Sequence, residues 1–100
     1  MAFLTALAQA RAELLDLAAN TGLSEAERAQ AAWRLFARCY EVRHQLELFA
    51  PREVVEPALV YFRIVRDLRD AVRSGLRPAD PERERHTERV KIALENAARQ

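Results

Sequence analysis

Ala50-Pro51 divides the middle of this chain into two long amphipathic runs, Ser24 to Phe49 and about Arg52 to Ser74. The residue before a proline disfavours α geometry, so one helix has to end there; proline suits a helix start. Apolar positions recur in a near-heptad rhythm on both sides of the break. They are Leu35, Cys39, Val42, Leu46 and Phe49 on the first run, and Val54, Ala58, Tyr61, Val65, Leu68 and Val72 on the second. Such spacing belongs to helices that lie against other helices, as in a coiled coil. At 1.5 Å per residue each run is roughly 35 Å long, and the short break predicts an antiparallel hairpin.

The flanks add one helix each. Phe3, Leu7, Ala10, Leu14 and Leu17 form a stripe that predicts a helix over 2–19. Asn20-Thr21-Gly22 should stop it, with Gly22 or Asn20 in the left-handed region. Ser24 and Glu27 have the spacing of a capping box, which predicts helix two over 24–49. Pro51 is expected at the first position of helix three, over 52–74. Pro57 should bend that helix, unless the helix begins near Pro57 instead. Ser74-Gly75 closes it, and Leu76 to Pro81 reads as a linker. Asp80 is placed to cap helix four, over 81–99, with Pro81 first. The apolar face of helix four is thin: Val90, Ala93, Leu94 and Ala97. The expectation is a single all-α domain over 1–100, an antiparallel bundle with helices one and four packed alongside the hairpin.

The chemistry is sparse. Glu41 and His44 have a Glu-x-x-His spacing, but a carboxylate-bridged metal bundle needs a second such pair, and His86 has Arg83 where the glutamate would stand. Both residues are expected on the solvated surface, and no metal or cofactor is expected. Cys39 lies on the apolar stripe, so a buried structural thiol is expected rather than a nucleophile. Two glycines, Gly22 and Gly75, cannot build a phosphate loop. No catalytic residue is assigned, and the chain is read as a non-enzyme. A lone cysteine, no basic leader and no long uninterrupted apolar stretch point to a cytoplasmic protein without a membrane span.

Two surfaces stand out for binding. Trp33 and Tyr40 flank the buried stripe of helix two; left partly exposed, they would anchor a partner, together with Val90 and Leu94 on helix four. Arg63, Arg66, Arg73 and Arg77 make helix three basic and could follow phosphates. Against that, the net charge is only +1, and Asp67 and Asp70 can pair with the arginines along the helix.

The segment Leu48-Phe49-Ala50-Pro51-Arg52-Glu53-Val54-Val55-Glu56, within the stretch Leu35 to Gly75, resembles small uncharacterised helical-hairpin proteins of GC-rich bacteria. Fifteen arginines against the single Lys91 fit such a genome. The resemblance implies two long helices joined at an Ala-Pro turn and no particular activity. The expected function is a protein-interaction or assembly module, self-associating as a homodimer. The other reading is a helical nucleic-acid-associated regulator that uses the helix-three arginines.

Overall fold

The computed structural model describes residues 2–77 and 79–98, with all their side chains except those at 2, 94 and 96–98. The chain is an all-α bundle of four helices: α1 (Ala2–Ala19), α2 (Glu25–Phe49), α3 (Arg52–Arg73) and α4 (Pro81–Ala98). Each of α1, α2 and α3 packs on the other two, while α4 packs along α3.

Local chemistry accounts for most of the boundaries. The Ser24 hydroxyl accepts from the Glu27 N–H, and the Glu27 carboxylate accepts from the Ser24 N–H, each at 3.1 Å. This capping box satisfies two backbone donors that the first turn of α2 would leave open. Ahead of it, the Asn20 side chain accepts from the Gly22 N–H at 2.9 Å. Neither residue is left-handed, contrary to expectation, because this side-chain turn reverses the chain without a positive φ. The left-handed residue is Gly75, at φ 102°. There the Leu76 N–H reaches Ala71 O at 2.9 Å and the Gly75 N–H reaches Val72 O at 3.1 Å. These two bonds form a Schellman motif, which returns the buried Leu76 to the core.

Pro51 caps α3 from outside, with φ −65° and ψ 155°, and the helix begins at Arg52. The Pro51 carbonyl accepts from both Val54 and Val55 at 3.0 Å, which explains the shift by one residue: it serves better as the first acceptor than as a helical residue. α3 then runs unbroken through Pro57, as the single-helix reading expects. At the other end, Asp80 directs its carboxylate back to the Arg77 N–H at 2.9 Å. It therefore ties the connection from the position just before α4, where the cap was expected.

The predicted stripes of α1 and α3 enter the core. On α2 the buried face is turned towards Ala32 and Phe36, leaving Leu35 and Val42 only partly buried, and Phe62 joins from outside the predicted α3 stripe. Phe3, Leu7, Ala10 and Leu14 of α1 meet Ala32, Phe36 and Cys39 of α2 and Ala58, Phe62, Val65, Leu68 and Val72 of α3, all buried. Burying each large side chain contributes about 1.5–3 kcal/mol before conformational entropy is subtracted. Phe62 is the hub, with ring centroids 6.3 Å from Phe3, 5.1 Å from Phe36 and 5.3 Å from Tyr40. Phe49, on the stripe predicted for helix two, is 84% exposed. The reason is length. The Cys39 Sγ lies 3.8 Å from the Ala6 carbonyl. At 1.5 Å per residue, α2 continues about 15 Å past that point, and α1 runs only about 6 Å from Ala6 back to Ala2. The hairpin tip therefore projects beyond Ala2, and Phe49 has no helix to cover it.

Candidate interaction surface

The groups with chemical potential are spread out. Cys39 is fully buried, and that burial pushes its thiol up to about 11, far from nucleophilic character. Glu41 and His44 are both exposed. Among the described residues, no three His, Cys, Asp or Glu side chains gather in a way that could hold a metal ion.

His86 is the more informative histidine. It is buried where α4 lies on α3, and its Nε2 accepts from the Nε of Arg11, which reaches it from α1, at 3.3 Å. The ring is thus neutral, with its proton on Nδ1. Burial is the largest cause of its depressed pKa, about 4 instead of 6.5; Arg11 and Arg89 add to it, and Asp67 opposes. Between those values the unfolded chain binds the additional proton. The contribution of the neutral His86 to stability is therefore complete above pH of about 6.5 and is lost as pH falls towards about 4. His86→Gln keeps an acceptor for Arg11 and does not titrate. Its thermal midpoint should fall less than wild type between pH 6.5 and 5, and parallel curves would refute this account.

Two surfaces remain, and they differ in character. The first crosses α2 and α3. Trp33 is 52% exposed and Tyr40 is 40% exposed, as a partner-contact role requires. Beneath them Arg69 is only 6% exposed. Its guanidinium carbon lies 4.8 Å from the Trp33 ring centre and 5.0 Å from that of Phe36. Its Nη1 donates to the Tyr40 hydroxyl at 2.9 Å, while Nε and Nη2 both donate to Asp70 Oδ1. A buried cation is tolerable here because aromatic faces and two oxygen acceptors replace its water. Arg73 also lies over the Trp33 ring, at 5.4 Å from its centre.

The arginines expected to act together diverge. Arg73 joins Trp33, and Arg66 is held at 3.5 Å by Asp67. Arg63 instead lines a groove towards α4, and Arg77 lies past the end of α3. Helix phase keeps Arg63, Arg66 and Arg73 within an arc of about 80°, and it is their partners that separate them, Arg63 turning to the α4 groove and Arg73 to Trp33. On α4, Val90 is buried in the chain's own core and open to a partner only if α4 lifts away. A thin apolar stripe still suffices to seat one helix on its neighbour. The side chain of Leu94 lies outside the described residues.

The second surface is apolar and sits at one end. α4 runs antiparallel to α3, since Arg89 pairs with Asp67 at 3.3 Å while Ile92 and Val60 share a groove nearer the hairpin tip. That groove has a volume of about 290 Å³, and Val60, Arg63, Ile64, Arg89, Ile92 and Ala93 line it. Val60 and Ile92 are about half exposed, and at the tip Leu48 is 62% exposed beside Phe49. Four of the six large exposed apolar side chains among the described residues thus collect at this end.

Arg28, Arg69 and His86 are the buried polar residues that sequence reasoning passes over. Arg28 has one legible cause: it reaches the end of α3, its Nη2 being 3.8 Å from where a Cβ on Gly75 would stand. A cation is favoured at a helix C-terminus, although its Nε finds no partner. No family model, no curated protein and no solved structure matches this chain.

Proposed function

We propose that the chain is a non-enzymatic helical assembly module that pairs with a second copy of itself through the hairpin-tip end. The observation that carries this reading is the exposure of Leu48, Phe49, Val60 and Ile92 towards one end of the bundle. Exposed large apolar side chains gathered towards one end mark association sites on soluble proteins. A second copy suits it because the two parts of the end are complementary. The tip offers large apolar side chains beside Glu53, which forms no ion pair among the described residues. The groove offers an apolar floor between Arg63 and Arg89. Both parts lie at the same end of each chain, so a two-fold axis lets each tip meet the partner's groove and closes the assembly.

No described helix is long and apolar enough to cross a membrane. A buried, unpaired Cys39 agrees with a reducing compartment, and we place the protein in the cytoplasm on that ground.

The test is absolute mass by light scattering across a dilution series. The wild-type chain should show about twice the monomer mass at the highest concentrations. Phe49→Glu should be monomeric throughout and keep its helical circular dichroism, because that side chain supports nothing in the fold. A monomeric wild type, or a dimeric Phe49→Glu variant, overturns the reading.

A further inference from the structure

We propose that the aromatic–arginine face of α2 and α3 is a second binding site, and that it takes an acidic helical segment of another protein. This face lies away from the hairpin tip, so the inference stands or falls independently of self-association.

The face is rich in unspent donors. Arg73 is exposed and forms no hydrogen bond or ion pair among the described residues, yet its guanidinium is held over the Trp33 ring. Stacking on an aromatic face leaves the edge of the guanidinium, with its planar fork of N–H groups, free to bind a carboxylate in two-pronged fashion. Tyr40 accepts from Arg69, so its own O–H remains to be donated. Arg69 braces the site from below, its donors committed to Tyr40 and Asp70. A group that only accepts is therefore the natural complement, and an ionised carboxylate is such a group.

The spacing indicates the form of the partner. Trp33 and Tyr40 are two turns apart on α2, about 10 Å at 1.5 Å per residue. A helix laid alongside presents carboxylates two turns apart at that same separation, with apolar residues between them to cover the Trp33 ring. Phosphates fit less well. A nucleic-acid backbone needs a track of cations, and the track is broken: Arg63 lines the α4 groove, Asp67 holds Arg66, and half-exposed Asp70 interrupts what remains.

Trp33 is the single tryptophan, so its fluorescence reports on this site alone. The full chain is titrated with a synthetic helical peptide carrying glutamates two turns apart beside a leucine stripe. Two controls are the same peptide with glutamines and a single-stranded oligothymidine. The acidic peptide should give a saturable change in emission. Affinity should fall about tenfold or more for the glutamine peptide and for Arg73→Gln, the loss expected of a charge-assisted hydrogen-bonded pair. Arg73→Gln should keep its circular dichroism, being exposed. Equal affinity for the glutamine peptide, unchanged binding by Arg73→Gln, or no response to the acidic peptide overturns the proposal. Tighter binding of the oligothymidine overturns it in favour of nucleic acid.

Discussion

Phe62→Ala should lose about 3–5 kcal/mol of stability, the usual cost of deleting a fully buried phenylalanine. A domain of this size has only about 5–15 kcal/mol in total, and small domains lie towards the low end. The substitution should therefore leave a chain that is largely unfolded at modest temperature. Phe62 has no exposed surface, and its ring touches an aromatic partner from α1 and two from α2. The Arg43 guanidinium covers it as well, at 4.9 Å from the ring centre. Three helices therefore lose contact with one another at a single point, and little nearby can collapse to fill the space. Phe62→Leu keeps most of the volume and should cost about 1–1.5 kcal/mol. Urea titration followed by circular dichroism measures both values. A loss below about 1 kcal/mol for Phe62→Ala would show that the aromatic cluster is not the centre of the core.

Arg69→Ala should cost about 2–3 kcal/mol, which is unusual for an arginine in a small soluble protein. Surface ion pairs contribute little, and the pair with Asp70 alone would predict almost no loss, because Asp70 is half exposed and water can replace its partner. The larger part comes from two other sources. One is the guanidinium lying against the rings of Trp33 and Phe36, where each such contact contributes about 0.5–2 kcal/mol depending on desolvation. The other is the hydrogen bond to Tyr40 that crosses from α3 to α2. Arg69→Met keeps the apolar stem and should recover part of the loss. A double-mutant cycle with Tyr40→Phe should give a coupling energy of about 1 kcal/mol. Coupling near zero would mean that the arginine only fills space.

These residues mark where sequence reasoning stops. The stripe Val54, Ala58, Tyr61, Val65, Leu68 and Val72 was legible because helical periodicity is a local property, and of these six only Val54 is less than fully buried. The capping box at Ser24 and the helix end at Gly75 were legible for the same reason, each depending on a few adjacent residues. Arg69 was not. Its spacing from Phe62, Val65 and Val72 puts it inside the apolar arc of α3, unlike Arg66 and Arg73, but spacing cannot say whether a cation there finds partners. Its burial depends on Trp33, Phe36 and Tyr40 arriving from α2, far away in sequence. His86 is similar, since its desolvation requires α4 to sit where Arg11 of α1 can reach it.

Phe49 and Val90 show the same limit from the other side. Periodicity assigns each to an apolar face but cannot say how far the neighbouring helix extends along it. α2 outruns Ala2 of α1, so Phe49 is open, while α4 lies flat enough on the bundle to bury Val90. The sequence alone determined the four helices, their ends within a residue or two, and the apolar sides of α1 and α3, because these follow from backbone hydrogen bonding and side-chain spacing over a few residues. Only the tertiary structure decided which cations are buried, which arginine is left with free donors, and which apolar side chains stay in water. Those outcomes depend on the lengths and registers at which separate helices meet.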